Sequence, residues 1–293
     1  MMAWVQFIFN SSPDAADALS DALTEAGAAA VTFQDNADQP IYEPPIGETP
    51  LWAATQVIAL FDATTSETDM RSAVQPFLTG ELPPFKMEAV EDKDWERAWM
   101  DNFQPMCFGN KLWIVPSWHQ PPQANAINIL LDPGLAFGTG THQTTALCLR
   151  WLDKAAINGK TVIDYGCGSG ILGIAAALLG AKRVIAVDTD PQALQATQDN
   201  ARRNNVTIET YLPDVCPSLQ CDVLLANILA GPLMQLAPLF AELTHEGSDI
   251  VLSGILDSQT DKVNDTYQSF FSMQKAQQFD DWMRLSGIRR YGD

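Results

Sequence analysis

Asp164-Tyr-Gly166-Cys-Gly168-Ser-Gly170, followed by Asp188 at the end of the next apolar segment, is a set of residue types suited to holding a nucleoside. Glycines let the backbone pass close to a ligand with no Cβ in the way. A carboxylate at the tip of the second strand can accept hydrogen bonds from both ribose hydroxyls. The surrounding sequence supplies the elements this requires. Thr161-Val-Ile-Asp164 reads as a short buried strand, Ile171 to Leu179 as an alanine-rich helix closed by Gly180, and Arg183 to Asp188 as a second strand. Strand, glycine turn, helix and strand make the βαβ unit of an adenosyl-cofactor site.

Read from Gly168, the stretch Gly168-Ser-Gly170-Ile-Leu-Gly173 also matches the dinucleotide fingerprint, a match that glycine-rich turns often produce. Two details favour S-adenosylmethionine (SAM). Asp164 stands two residues before the first glycine, within reach of the cationic amino-acid end of SAM through water or backbone. The extra Gly-Cys ahead of the fingerprint widens the turn beyond what a pyrophosphate wants. A nicotinamide or flavin cofactor and a purely structural turn are the alternatives. Upstream, Asp132-Pro-Gly-Leu-Ala-Phe137-Gly138-Thr139-Gly140-Thr141-His142-Gln-Thr144-Thr145 is a long loop with three glycines and four threonines. Long loops in compact domains tend to be functional.

Around these residues β and α patterns alternate. The expected helices are Ala146 to Leu152, Pro191 to Asn204, Leu233 to Leu243 and Asp261 to Phe271. The expected strands are Thr207 to Leu212, Val223 to Asn227 and Ile250 to Ser253, and Gln274 to Phe279 can pair with Trp282 to Ile288 as a hairpin. Such alternation implies a mostly parallel sheet covered on both faces, with ligands at the carboxyl ends of its strands. Asp164, Asp188, Asp214 and Asn227 all fall at or just beyond such ends.

Residues 1–92 read as a separate small domain. Its strands are Trp4 to Asn10, Ala30 to Gln34, Gln56 to Phe61 and Phe85 to Val90. One helix follows Ser12-Pro13-Asp14 and closes at Gly27; another has Met70, Val74, Phe77 and Leu78 on one face. The order β-α-β-β-α-β is that of a ferredoxin-like α+β fold. It gathers no cluster of catalytic residue types and reads as a recognition domain. Residues 93–125 form a connector, with Trp95, Trp99 and Phe103 on one face of an amphipathic helix and a strand at Lys111 to Val115; a further strand is expected at Ile127 to Leu131. Residues 126–293 hold the cofactor unit.

Of a net charge of −19, residues 1–95 carry 16 Asp/Glu against 3 Lys/Arg, and the remaining residues 20 against 14. An acidic front segment repels phosphates, which argues against nucleic-acid binding, and attracts a basic partner. Solubility or salt adaptation is the alternative reading. No apolar stretch approaches membrane-spanning length, the amino terminus does not read as a signal peptide, and the five cysteines have no metal-binding spacing. A cytoplasmic monomer with reduced thiols and no metal is expected.

Three stretches together, Leu131–Thr145 (L-D-P-G-L-A-F-G-T-G-T-H-Q-T-T), Asp164–Ala175 (D-Y-G-C-G-S-G-I-L-G-I-A) and Ala226–Leu233 (A-N-I-L-A-G-P-L), resemble the bacterial methyltransferases of ribosomal protein L11. The resemblance covers essentially the whole chain. It implies a seven-stranded, Rossmann-like class I methyltransferase domain behind the ferredoxin-like one. It further implies SAM contacts at Thr145, Gly166, Asp188 and Asn227, a loop around Phe137, Gly138 and His142 closing over the methionine end, and multiple methylation of lysine and α-amines on a small basic ribosomal protein. Asp164 and Gly168 of the glycine turn join the expected cofactor contacts. Many amine and amide methyltransferases carry Asn/Asp-Pro-Pro-aromatic where this chain has Asn227-Ile-Leu-Ala, so the asparagine is kept and the prolines and aromatic are lost.

Methyl transfer from a sulfonium needs a neutral amine in line with the methyl carbon. Lysine, with an ordinary pKa of about 10.4, must first lose its proton. A desolvated site beside a cation favours that loss, so no strong base is required. The Asn227 side-chain oxygen and nearby carbonyls are the expected acceptors for the amine hydrogens. His142 is either a proton acceptor or a residue that shapes the loop, and Asp214 is either an acceptor for the adenine amino group or a turn aspartate. A nicotinamide oxidoreductase, a non-catalytic SAM-binding module and a small-metabolite methyltransferase are the competing functions. The first lacks a hydride-relay residue, and the intact loop and Asn227 argue against the second. The acidic front domain argues against the third.

Overall fold

The computed structural model describes residues 4–37, 50–90, 103–123, 125–132 and 142–291. The chain divides into two compact units, Met1–Asp101 and Asn102–Asp293.

In the first unit, β1 (Trp4–Ser11), α1 (Pro13–Glu25), β2 (Ala30–Asp35), β3 (Thr55–Asp62), α2 (Glu67–Val74) and β4 (Phe85–Val90) follow in that order. The four strands form one antiparallel sheet in the order β2-β3-β1-β4. Alternation in β1 and β3 buries Val5, Phe7, Phe9, Val57, Ala59 and Phe61, which pack with Leu19 and Leu23 of α1 and Met70 and Val74 of α2. Phe7 meets Phe61 and Phe85 edge-on, each at 5.6 Å between ring centres. Ser66 and Asp69 close a reciprocal capping box at the start of α2. Phe77, expected on the buried face of this helix, is 51% exposed. The chain tightens into a 3-10 turn at Gln75–Phe77, with proline at its centre, and the change of period swings Phe77 away from Met70 and Val74. Trp95 and Trp99 lie outside the described residues, and Phe103 is buried.

The second unit opens with a small sheet of β5 (Met106–Phe108), β6 (Leu112–Val115) and β7 (Ile127–Leu130). β6 runs parallel to β7, so part of the stretch read from sequence as a connector contributes strands here. Two side chains hold this sheet. Asp153, buried near the end of α3 (Gln143–Lys154), accepts the backbone N–H groups of Asn110, Lys111 and Leu112 at 2.8, 2.8 and 3.2 Å. Asn204 exchanges two hydrogen bonds with the backbone of Leu130, at 2.7 and 2.8 Å, as a paired strand would.

The remaining elements are β8 (Thr161–Tyr165), α4 (Ile171–Leu178), β9 (Arg183–Val187), α5 (Pro191–Arg203), β10 (Glu209–Tyr211), β11 (Cys221–Asn227), α6 (Ala230–Glu242), β12 (Thr244–Leu256), α7 (Thr260–Tyr267), β13 (Phe271–Met273), β14 (Gln277–Phe279) and β15 (Trp282–Arg289). Their sheet runs β10-β9-β8-β11-β12-β15-β13, parallel as far as β12, with β15 antiparallel. Successive residues serve opposite faces. Val162, Val184, Val223 and Val251 meet Leu149, Ile171 and Ile174, while Ile163, Ile185, Leu224 and Ile250 meet Leu233, Phe240 and Tyr267. The expectation of seven strands is one short. The seventh position is shared by β13 and β14, which pair in succession with the far and near ends of β15. At the other edge, Arg183 grips Glu209 through two bonds of 2.7 and 2.8 Å and holds its carboxyl down at about 2.

The order reverses between β8 and β11: from β8 the chain moves outward through β9 to β10, then returns to the other side of β8 at β11. A crevice therefore opens at the carboxyl ends of these two strands. Away from that crevice, Asp153 secures the small sheet to the last turn of α3. Replacing Asp153 with alanine leaves three backbone donors without their acceptor and is expected to lower unfolding free energy by roughly 2–4 kcal/mol, measured by urea denaturation; a loss below about 0.5 kcal/mol contradicts the anchoring role.

Candidate functional site

The turn from β8 into α4 is built from left-handed glycines. Gly166, Gly168 and Gly170 have φ of +75°, +54° and +78°. The N–H groups of Gly166 and Cys167 both reach the carbonyl of Val187, at 2.7 and 3.1 Å, which pins the turn to the end of β9. A Cβ on Gly166 would lie 2.2 Å from the Ile228 side chain, and one on Gly170 2.7 Å from Thr197. From α5, the Thr197 hydroxyl donates to the Gly168 carbonyl at 3.1 Å and Asn200 donates to the Ser169 carbonyl at 2.9 Å. Cys167, the residue expected to widen the turn, is buried against Thr197, and burial together with nearby Asp164 pushes its thiol pKa up.

Asp188, half-buried beyond β9, takes the Gly168 N–H at 2.9 Å on one oxygen and the Asp190 N–H at 3.0 Å on the other. Each oxygen retains a second acceptor site, so the carboxylate is oriented without being saturated. Asp164 lies deeper. It is 1% exposed and accepts the N–H of Gly173, in the first turn of α4, at 2.8 Å. Burial raises its pKa to about 7, with the charge of Asp188 adding to the effect and the Gly173 bond opposing it. Asp164 thus ties β8 to α4 from beneath the turn.

Asn227, at the end of β11, donates from its side-chain nitrogen to the Thr145 hydroxyl at 3.2 Å. Thr145 is fully buried in the first turn of α3. That helix is capped by His142, whose Nδ1 lies 2.8 Å from the Thr144 hydroxyl and 3.4 Å from its N–H. The His142 ring stands edge-on to Trp282 at 4.9 Å, and burial lowers its pKa. Nδ1 is therefore engaged at the cap.

Thr145, Gly166, Gly168, Asp188 and Asn227 converge through contacts of Asp188 on Gly168, Ile228 over Gly166 and Asn227 on Thr145, with Asp164 beneath the turn on Gly173. Asp214 is exposed on the 3-10 turn Pro213–Val215 beyond β10; its charge, after burial and Cys216, raises the pKa of Tyr165 at the end of β8. Phe137 and Gly138 lie outside the described residues. Ile228 and Gly254 were not singled out from sequence. A Cβ on Gly254 would lie 2.3 Å from the Ile228 carbonyl oxygen, so the residue after Asn227 is seated between two glycines. A glycine inside an apolar strand is the signal that marks such a close approach.

A cradle that only glycine leaves open, an oriented carboxylate with acceptor capacity and a strand-end asparagine fit an adenosyl cofactor. Among the described residues no group of His, Cys, Asp or Glu is arranged to hold a metal ion. Fold and site together define a SAM-dependent methyltransferase. The family model for Ribosomal protein L11 methyltransferase (PrmA) matches residues 3–290, and the chain belongs to that family. A ribosomal protein L11 methyltransferase of Marinobacter nauticus is 54% identical over 298 residues, covering 99% of this chain and 100% of the relative. One of Pseudomonas paraeruginosa is 52% identical over 292 residues, covering 99% of each. A crystal structure of the ribosomal protein L11 methylase from Lactobacillus delbrueckii subsp. bulgaricus is 33% identical, with a TM-score of 0.59, and covers 64% of this chain and all of that one.

The burial of Asp164 has a measurable consequence. The folded chain holds its proton up to about pH 7 whereas the unfolded chain releases it near pH 4, so its contribution to stability falls as pH rises through that window. Thermal midpoints of the parent and Asp164→Asn should diverge between about pH 4 and pH 7, the parent losing ground as pH rises. A midpoint difference independent of pH would show that the carboxyl is not held neutral.

Proposed function

We propose that this chain transfers methyl groups from SAM to lysine and α-amines of ribosomal protein L11, with the glycine turn and Asp188 holding the cofactor and Asn227 orienting the amine. The observation that carries this reading is the Asn227–Thr145 hydrogen bond beside the glycine turn, at the switch point of the sheet. SAM supplies a methyl group on a positively charged sulfur, with the leaving group built in. The chain's own residues do the rest by placement. Asp188, held by two N–H groups, offers its remaining lone pairs to the ribose hydroxyls. Asn227 spends its N–H on Thr145, which leaves its side-chain oxygen to accept a hydrogen of the amine and align the lone pair. Asp164 acts as a positioning residue for the turn, and Asp214 is read as an acceptor for the adenine amino group.

The first unit is read as a ferredoxin-like domain, covering residues 1–92, that docks the protein substrate; residues 126–293 carry the chemistry and residues 93–125 connect them. Asp14, Asp17, Asp21 and Glu25 all lie exposed on α1. An acidic surface of this kind suits a basic ribosomal protein and repels nucleic acid. No described helix is long and apolar enough to cross a membrane. A cytoplasmic monomer is the setting that this reading implies.

Asp188→Ala removes two charge-assisted acceptors, each contributing about 1.5–3 kcal/mol, so calorimetry should find SAM binding weakened at least tenfold; unchanged affinity would sink the ribose assignment. Asn227→Ala should lower single-turnover methylation of L11 more than it weakens SAM binding, because its bond to the amine strengthens as the lone pair aligns. Equal turnover rules out the orienting role. Reversing Asp14, Asp17, Asp21 and Glu25 to lysine should raise KM for L11 and flatten its salt dependence, with kcat little changed. Unaltered KM and salt response would place docking elsewhere.

A further inference from the structure

Asn227, the last residue of β11, and Ser253, three residues before the end of β12, are register partners. They hold consecutive residues of one helical turn. Asn227 donates to the Thr145 hydroxyl at 3.2 Å, and the Ser253 hydroxyl lies 3.2 Å from the Thr144 carbonyl. The same hydroxyl lies 3.2 Å from the Met283 carbonyl on β15, so one proton is shared between the helix and the neighbouring strand. Ser253 is fully buried.

The local backbone explains why a hydroxyl stands there. Pairing of β12 with β15 slips between Ser253 and Ile255, leaving Gly254 as the extra residue of a bulge at φ +85°. The bulge gives Ile228 room over Gly254, and strand alternation from Val251, which packs on the α3 side, puts Ser253 on the face toward α3. Thr144 has its own hydroxyl engaged by His142, so the turn is fixed by a ring at its cap, a serine of β12 at its carbonyl and a strand-end asparagine at Thr145.

We propose that Ser253 is a positioning residue for methyl transfer, acting by fixing the rotation of the first turn of α3 so that the Thr145 hydroxyl meets Asn227. One residue of slip in a helix rotates a side chain by about 100°, which would carry Thr145 out of reach. The inference rests on the reading of Asn227 as the residue that orients the amine, and the test separates the two.

In the full chain, Ser253→Ala is expected to lower kcat for L11 methylation by roughly five- to tenfold, with KM for L11 unchanged, because the lost bond is worth about that factor. The decisive readout is the double variant. If Ser253 acts through Asn227, Ser253→Ala in an Asn227→Ala background should slow turnover by less than about twofold further. A Ser253→Ala chain as fast as the parent, or a loss that multiplies fully with that of Asn227→Ala, overturns the proposal; the second result is what a general structural role would give. Should the alanine chain not fold, the conservative pair decides. Ser253→Thr keeps the hydroxyl and should keep turnover within about twofold, whereas Ser253→Cys fills the space with a weak donor and should lose most of it. Cysteine at parental turnover, or threonine no better than cysteine, also overturns it. If Asn227→Ala alone turns over normally, the reading beneath falls and takes this proposal with it.

Discussion

The site depends on the chain passing over itself where no Cβ fits. Ile228 rests its side chain on Gly166 and its carbonyl on Gly254, so the end of β11 is set between the cofactor turn and the bulge in β12. Each of these glycines has a positive φ, so a replacement would be strained in its backbone before it met its neighbour. Closeness of three strand ends is thereby written into two residues without side chains. Asn227, one position before Ile228, takes its place from that seating, and Thr145 takes its place from Asn227.

Polar groups then set direction, each through backbone. Asp188 faces the turn because Gly168 and Asp190 donate to it, and Asp164 faces α4 because Gly173 does. The two carboxylates end in unlike surroundings. Asp188 keeps lone pairs at a half-open edge, while Asp164 is enclosed and inclined to hold a proton. Two aspartates that flank one glycine turn in the sequence are thus separated in role by a few ångströms of depth.

That difference of depth marks where the sequence stops being informative. The alternation of apolar strands and helices, the glycine turn and the positions of Asp188 and Asn227 at strand ends are legible because periodicity and residue type report on local backbone. Asp164 looked like a ligand-facing acid because spacing along the chain says nothing of which way a side chain turns at a strand end. Phe77 was placed on a buried face because a helical period was continued through Pro76, where the chain tightens. The bulge at Gly254 and the contacts of Ser253 are not legible in the sequence because they are relations between separate elements, nor is β5, because three residues carry too little pattern. His142 was seen, but its use as a helix cap emerges only once the helix begins at Gln143.

The large sheet also has a property that belongs to its margins. One outer strand, β10, is three residues long and carries the Arg183-bound Glu209; the opposite margin is broken into β13 and β14, three residues each. A strand margin is sticky in proportion to the length of straight, unpaired backbone it presents. Here both margins are cut to short runs, and on one of them an ion pair ties the outer strand back to its neighbour. Among the described strands, the large sheet therefore presents little backbone for another copy to zip against.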